Sequence, residues 1–224
     1  MLKFLIITVI LVFCMQLNVF ASSFPADEDI QYAPNPDCIL VLVNKYHRLS
    51  RDFSPKTLIN IEGGHYLRGE AAIAFYKMRY SMGTEGLFII VRSTYRSFAT
   101  QQYLHSRSVR NNGLRAADMM LARPGHSEHQ TGLAVDIVQL SAGSMGLGAA
   151  RFQDTRQYEW LRQNAYRYGF ILRYPNGYTH ITGYIYEPWH WRYIGVSAAA
   201  YMRENDIATL ECYFELTRGA SWDR

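Results

Sequence analysis

The sequence predicts a mixed fold in which helices alternate with short strands, and two patterns lead to this prediction. From Leu133 to Val138 every second residue is leucine, valine or isoleucine, the period of a β-strand. Ala71, Ala74, Phe75 and Met78 recur at the spacing of one buried helix face. Both element types are therefore expected around one apolar core.

Composition limits the class of protein. The chain has 224 residues, 49% of them hydrophobic, which suits one globular domain or two small ones. No internal repeat or long linker divides it, so we expect a single domain over residues 38–224. The net charge of +4 is mild and includes no compact basic run, so nucleic acid is not an expected partner.

Residues 1–21 resemble a secretory signal peptide. Lys3 precedes an apolar run from Phe4 to Met15, and Val19-Phe20-Ala21 has the small residues of a cleavage site. An uncleaved anchor is the alternative, but the run is short for a membrane span. Cys14 is not expected to be lipidated, because Phe13 before it is too bulky for a lipoprotein cleavage site. We therefore expect an exported protein of the periplasm or cell envelope.

Two cysteines, Cys38 and Cys212, remain after this segment. An oxidising compartment permits a disulfide between them, and two buried thiols are the equal alternative. Neither has the CxxC spacing of a metal or redox site.

Helices and strands can be assigned in order along the first half of the mature chain. Residues 22–37 are polar and contain prolines, which predicts a flexible arm. The apolar run Cys38–Val43 predicts a buried strand, and Asn44–Asn60 an extended surface segment. A helix is expected from Leu67, followed by a second buried strand at Leu87–Val91.

The middle of the chain predicts two further helices and a loop. One helix begins near Thr100. Glycines in Ser141–Ala150 predict a flexible loop, because no phosphate-binding GK[ST] follows them. The second helix is expected over Gln153–Tyr168, with Asp154 and Gln157 forming a capping-box-like start.

The C-terminal segments return to sheet and then to helix. Gly169 ends the preceding helix, and Phe170–Tyr174 is expected to be a strand. Aromatic and β-branched residues in Tyr178–Tyr193 predict more sheet. Two short helices are expected over Ala198–Asn205 and Ala208–Leu216.

The segment Pro124–Asp136 contains the strongest candidate for chemistry. His129 lies on a loop, Gly132 allows a turn, and Asp136 projects from the following strand. A carboxylate among apolar residues is costly to bury unless it is paired or binds a cation. A metal ligand at Asp136 is therefore a reasonable hypothesis.

A second cluster, Glu187-Pro188-Trp189-His190, completes the set that a hydrolytic zinc site needs. His129, Asp136 and His190 would supply three ligands and leave a fourth position for water. Glu187 would then take a proton from the zinc-bound water. His126 is the strongest rival ligand, because it lies three residues from His129.

Strand geometry poses a difficulty for this hypothesis. Residues separated by three positions lie on opposite faces of an ideal strand, so Glu187 and His190 would diverge. A bend at Pro188 is required for the two side chains to meet.

Ser127 and Arg96 are further candidates for catalysis. Ser127 with His129 and Asp136 suggests a serine hydrolase, but the glycine of a nucleophile elbow is missing and Glu187 would have no role. Arg96 follows a strand and precedes a helix, where it would point into a cleft. An exposed arginine paired with a surface carboxylate is the alternative for Arg96.

Three separate motifs resemble the VanY-like zinc D-alanyl-D-alanine carboxypeptidases. They are Tyr95-Arg96-Ser97 with Gln101, Ser127-x-His129-x-x-Gly132-x-Ala134-x-Asp136, and Glu187-x-x-His190 with a tryptophan before the histidine. Gly169-Phe170 through Tyr174-Pro175 is also similar. The resemblance extends over about residues 38–215.

The resemblance implies an α+β fold of the hedgehog/D,D-peptidase type, with a small antiparallel sheet that carries a zinc cleft and is flanked by helices. It also implies a role for each residue of the site. These are His129, Asp136 and His190 as zinc ligands, Glu187 as base, Arg96 for the oxyanion or substrate, and Ser127 and Gln101 for substrate contacts.

The implied reaction is hydrolysis of the D-Ala-D-Ala bond that ends a peptidoglycan stem peptide. A D,D-dipeptidase or a peptidoglycan endopeptidase on the same scaffold is the alternative. A non-catalytic module that keeps its zinc is a further one, although it would be expected to lack Glu187.

Overall fold

The computed structural model describes residues 24–139 and 151–217, so the predicted signal peptide and the Ser141–Ala150 loop lie outside the described residues. The strands are β1 (Gln31–Tyr32), β2 (His47–Arg48), β3 (Leu58–Glu62), β4 (His65–Arg68), β5 (Ile89–Ser93), β6 (Ala134–Gln139), β7 (Phe170–Leu172) and β8 (His190–Tyr193). The helices are α1 (Gly69–Thr84), α2 (Phe98–Asn112), α3 (Leu114–Met120), α4 (Arg156–Asn164), α5 (Thr179–Thr182), α6 (Val196–Glu204) and α7 (Leu210–Thr217).

A four-stranded antiparallel sheet lies at the centre of the molecule, with strand order β5-β6-β8-β7. In this register Asp136 of β6 lies opposite both Ser93 of β5 and His190 of β8. The predicted α+β class with a small antiparallel sheet and flanking helices is confirmed. The sheet brings residues from distant parts of the chain to one point.

Several predicted elements are confirmed with small changes in their ends. The helix expected from Leu67 is α1, which buries Ala71, Ala74, Phe75 and Met78 as its spacing predicted. The helix expected near Thr100 is α2, where the Ser97 side chain accepts the Thr100 backbone N–H at 3.2 Å. The strand expected at Leu87–Val91 is β5, shifted by two residues, and the final helix pair is α6 and α7.

The strand predicted at Cys38–Val43 is wrong, because this segment consists of turns and irregular chain. Val41 and Val43 are nevertheless buried, as the apolar run indicated. The Arg192 guanidinium donates to the carbonyls of Ile39 and Val41 at 2.9 and 2.8 Å. A distant side chain thus satisfies the backbone groups that a neighbouring strand would otherwise pair with.

The helix predicted over Gln153–Tyr168 is divided into three parts. A 3-10 turn at Phe152–Asp154 precedes α4, and a second 3-10 turn at Ala165–Tyr168 follows it. The helix is capped by Thr155, whose side chain accepts the Tyr158 N–H at 3.2 Å, so the predicted capping box at Asp154 is wrong.

The sheet predicted over Tyr178–Tyr193 is reduced to β8. The first part of this segment forms the short helix α5, which ends at Gly183 with φ of +79°. Its backbone groups are paired locally, since the Gly183 N–H donates to the Thr179 carbonyl at 2.8 Å. The local turn therefore takes precedence over the β-forming composition.

The segment before Cys38 forms backbone hydrogen bonds with the chain that follows it. The Gln31 N–H donates to the Tyr46 carbonyl at 2.8 Å, and β1 pairs with β2 in parallel. No disulfide joins Cys38 to Cys212. Within residues 24–139 and 151–217, no helix has the length and apolar character needed to cross a membrane.

Candidate metal centre

Three side chains converge at the middle of the sheet. His129 lies in a 3-10 turn, Glu128–Thr131, while Asp136 lies in β6 and His190 begins β8. Each offers one ligand atom, and these atoms lie within 4.8 Å of one another. The structure thus brings together the three residues that the sequence predicted as ligands.

The hydrogen bond of His129 determines which ring nitrogen faces the site. Its Nδ1 lies 2.6 Å from the Thr94 carbonyl, which can only accept, so Nδ1 carries the proton. The lone pair of Nε2 then points toward Asp136, whose Oδ2 is 3.3 Å away. A ring held in this way is ready to coordinate a cation.

Buried atoms without partners test whether a metal fits. Among the described residues, His129 Nε2 and Asp136 Oδ1 are buried and have no hydrogen-bond partner. His190 Nδ1 lies 3.0 Å from Asp136 Oδ1, yet the contact lacks hydrogen-bond geometry. Imidazole nitrogens and a carboxylate oxygen around one point suit a divalent transition metal, so the residues fit such an ion.

The electrostatics of the site favour a cation at its centre. Burial acts to raise the pKa of Asp136, but His129 and His190 outweigh it and hold that pKa well below its ordinary range. Burial acts to lower the pKa of His190, yet the carboxylates of Asp136 and Glu128 raise it to about 9. Burial, assisted by Arg96, lowers the pKa of His129 to about 4. The carboxylates thus stabilise positive charge here, whether a proton or a metal carries it.

Glu187 lies beside this group without belonging to it. Its Oε2 is 3.7 Å from His190 Nδ1, and the residue is 8% exposed. Burial raises the pKa of the Glu187 carboxyl to about 7, although His190 and Arg96 act in the opposite direction. A carboxyl with a pKa near neutrality can both accept and release a proton at physiological pH.

The bend that the sequence required at Pro188 is present. The His190 N–H donates to the Glu187 carbonyl at 3.1 Å, which closes a turn over Pro188 and Trp189. The Glu187 N–H donates in turn to the Tyr174 carbonyl at 3.1 Å. Because Glu187 lies before the strand begins, the alternation of strand faces does not separate it from His190.

Arg96 is held close to the turn that carries His129. Its backbone N–H donates to the His129 carbonyl at 3.1 Å. Burial lowers the pKa of the Arg96 guanidinium, and the negative charges of Asp136 and Glu187 act to raise it. Its Nε is buried and has no hydrogen-bond partner among the described residues. Arg96 is therefore half-buried within reach of the charges of Asp136 and Glu187, and it is not an arginine paired at the surface.

Ser127 and Gln101 occupy different settings. Ser127 is 4% exposed and directly precedes the turn that carries His129, and its side chain does not cap that turn. Gln101 is fully buried, and its amide donates to the Ala122 carbonyl at 2.6 Å. Its Oε1 has no partner among the described residues.

The rival ligand His126 points elsewhere. Its Nδ1 lies 2.9 Å from the Asn44 carbonyl, and its ring packs edge-on against Phe24 with centroids 5.0 Å apart. His126 is not one of the three residues whose ligand atoms converge.

A buried charge network behind the site was missed at the level of sequence. Glu128 Oε1 accepts from Arg173 at 2.8 Å and from Arg192 at 2.7 Å. Arg173 also makes a bidentate pair with Glu211, at 2.9 and 2.7 Å. The available signal was the presence of charged residues inside apolar segments, notably Arg192 between Trp191 and Tyr193.

Comparisons with known proteins agree with this geometry. A family model described as VanY, D-alanyl-D-alanine carboxypeptidase, matches residues 64–196. The putative carboxypeptidase YodJ of Bacillus subtilis (strain 168) is 41% identical over 197 residues, which covers 84% of this chain and 71% of YodJ.

Two solved structures are similar over most of the chain. The LdcB LD-carboxypeptidase, a structure concerned with peptidoglycan recognition, has a TM-score of 0.76 at 38% identity and covers 88% of this chain and 95% of its own. The vancomycin-resistance D,D-pentapeptidase VanY, in complex with Zn(II), has a TM-score of 0.68 at 33% identity and covers 78% of this chain and 98% of its own. The predicted resemblance is confirmed, and the chain belongs to the VanY D-alanyl-D-alanine carboxypeptidase family.

Proposed function

We propose that this chain is a zinc carboxypeptidase that hydrolyses the D-Ala-D-Ala bond at the end of a peptidoglycan stem peptide. One observation carries the proposal: the ligand atoms of His129, Asp136 and His190 lie within 4.8 Å of one another, with both histidines buried and Asp136 half-buried. Family membership and the Zn(II) complex of VanY support it.

His129 would bind the metal through Nε2, His190 through Nδ1 and Asp136 through its carboxylate. Zinc held by three protein ligands acts as a Lewis acid and lowers the pKa of coordinated water. The single negative charge of this ligand set leaves a net positive site. The buried ligands also keep bulk water from competing for the substrate carbonyl.

Glu187 would act as the general base and then as the general acid. It would accept a proton from the attacking water and deliver that proton to the leaving amine of D-alanine. A carboxyl pKa of about 7 suits both steps near neutral pH. The turn at Pro188 holds this carboxylate on the same side as His190.

Arg96 would stabilise negative charge on the substrate. A guanidinium with a buried and unpartnered Nε can donate to a developing oxyanion or to the terminal carboxylate. Ser127 and Gln101 would contact the substrate's peptide groups or its terminal carboxylate.

A second candidate reaction is the removal of D-alanine from a bond in which the preceding residue is an L-amino acid. LdcB, an LD-carboxypeptidase, has a higher identity and TM-score than the VanY structure. Both reactions release D-alanine through the same metal and base. They differ in the chirality of the residue on the acyl side of the bond.

Two stem peptides distinguish these reactions. The purified zinc-loaded protein is incubated with a pentapeptide ending in D-Ala-D-Ala and with the tetrapeptide that lacks the last residue. Free D-alanine and a tetrapeptide product from the pentapeptide support the D,D reaction. Release of D-alanine from the tetrapeptide alone supports the L,D reaction. Release of a dipeptide supports a dipeptidase, and a cut within the stem supports an endopeptidase. Absence of cleavage in both peptides contradicts the proposal.

We also propose that the protein is exported to the periplasm or cell envelope, where stem peptides occur. The support is the predicted signal peptide over residues 1–21. Mass spectrometry of the protein recovered from the cell envelope is expected to give a chain beginning at Ser22. A full-length chain confined to the cytoplasm would contradict export.

A further inference from the structure

Glu128 lies next to His129 in sequence but faces the other histidine of the metal group. Its Oε2 is 3.6 Å from Nε2 of His190. Glu128 is 1% exposed and His190 is 4% exposed. Both of these atoms are buried, and neither has a hydrogen-bond partner among the described residues. Within the described part of the chain, neither atom is thus engaged by another group, and each lies opposite the other.

The arginine network explains why this oxygen is available. Arg173 and Arg192 both donate to Oε1 of Glu128, at 2.8 and 2.7 Å. The other nitrogens of Arg192 donate to backbone carbonyl groups, and the other nitrogens of Arg173 donate to the Glu211 carboxylate. The two guanidiniums therefore hold the carboxylate in place through one oxygen and leave Oε2 directed at the imidazole. Such an ionised carboxylate is tolerated in the core because it is paired.

The neighbours of His190 indicate which ring nitrogen keeps its proton when the other binds a metal. Its Nδ1 lies 3.0 Å from Asp136 Oδ1, without hydrogen-bond geometry. A proton on Nδ1 would therefore make no hydrogen bond, whereas a proton on Nε2 points toward the Glu128 carboxylate. His129 is held by a backbone carbonyl on Nδ1 and presents Nε2. The two histidines thus present opposite ring nitrogens to the same point.

We propose that Glu128 is a positioning residue for His190. Its carboxylate accepts the Nε2–H of His190, holds the ring in the tautomer that presents Nδ1, and increases the basicity of that nitrogen. This inference rests on the proposed zinc site. Carboxylates behind a metal-binding histidine generally have this effect on ring orientation and affinity.

Glu128→Gln tests the proposal, with Glu211→Gln as a matched control. Both variants remove one carboxylate charge from Arg173, whereas Glu128 also pairs with Arg192 and alone faces His190. Zinc affinity of the metal-free proteins is measured by competition with a chromophoric chelator, and thermal midpoints are recorded alongside. We expect Glu128→Gln to lose 10- to 100-fold in zinc affinity and Glu211→Gln to lose less than about threefold. Equal losses in the two variants would overturn the proposal.

A measurement on the unaltered protein covers the case in which Glu128→Gln does not fold. Nitrogen-15 NMR of the imidazole rings reports which nitrogen carries the proton in the zinc-loaded chain. We expect a protonated Nε2 and a metal-bound Nδ1 for His190, and the reverse for His129. Zinc on Nε2 of His190 would overturn the inference alone. An unaltered chain that binds no zinc would overturn the proposed function as well.

Discussion

Asp136 and His190 are directly opposite each other on neighbouring strands, and Oδ1 of Asp136 lies 3.0 Å from Nδ1 of His190. The antiparallel register thus places two ligands from segments 54 positions apart side by side. His129 joins them from the turn that leads into the same strand. Two of the three ligands are therefore placed by the central strand pair of the sheet, where side-chain positions are set by the strand register.

Glu187→Ala is expected to abolish turnover while the protein keeps its metal. The carboxylate is not a member of the convergent ligand group, so its removal leaves the ligand atoms unchanged. Loss of a general base typically costs about 10²- to 10⁴-fold in rate. The measurement is kcat on the stem peptide, with zinc content determined by atomic absorption. Unchanged activity would remove Glu187 from the mechanism, and a stable zinc-bound but inactive wild-type chain would favour a non-catalytic module.

His190→Ala is expected to lose the metal, and His126→Ala is the matched control. His190 offers Nδ1 to the group, whereas His126 donates to a backbone carbonyl outside it. Zinc stoichiometry after dialysis is expected to fall to near zero in the first variant and to stay near one in the second. A full complement of zinc in His190→Ala would mean that the ligand set is wrong.

Arg96→Lys is expected to reduce kcat/KM by about 10²-fold or more, because lysine cannot reproduce the planar guanidinium donors. The Nε of Arg96 is buried and has no hydrogen-bond partner among the described residues, and the charges of Asp136 and Glu187 act on the guanidinium. Arg92→Lys provides a control, because Arg92 is exposed and lies on β5, the strand that precedes Arg96. Steady-state kinetics on the stem peptide measure the effect. Equal kinetics for Arg96→Lys and Arg92→Lys would contradict a role in charge stabilisation.

Protonation of His126 is expected to contribute to acid unfolding. Burial lowers the pKa of this imidazole to about 4, whereas an unfolded histidine titrates near 6.5. Between these values the unfolded chain binds more protons, so this contribution to stability is complete above pH 6.5 and is lost as the pH falls toward 4. His126→Asn keeps a donor for the Asn44 carbonyl without titrating.

Denaturant unfolding at pH 7 and pH 4.5 tests this prediction for the metal-free proteins. The free energy of unfolding of the wild type is expected to fall by roughly 2 kcal/mol more than that of His126→Asn. An equal pH dependence of the two proteins would show that His126 does not titrate in this range.

Local patterns in the sequence were sufficient to predict the candidate site and most of the helices and strands. The ligands His129 and Asp136 fall within one short motif, and the helix around Phe75 has a spacing that depends only on neighbours three and four positions away. The sequence left His126 as a rival ligand, and the structure places its ring outside the convergent group. The bend at Pro188 was inferred as a requirement, and the structure contains it.

Only the tertiary structure determined which side chains contact the ligand residues and the segments around them. Arg192 binds the carbonyls of Ile39 and Val41 from more than 150 positions away, and this contact replaces the strand that the apolar run predicted. The same holds for the contact of Glu128 with His190 and for the ring nitrogen that each histidine presents. Burial, hydrogen-bond partners and protonation are properties of assembled surfaces, so a spacing rule along the chain does not contain them.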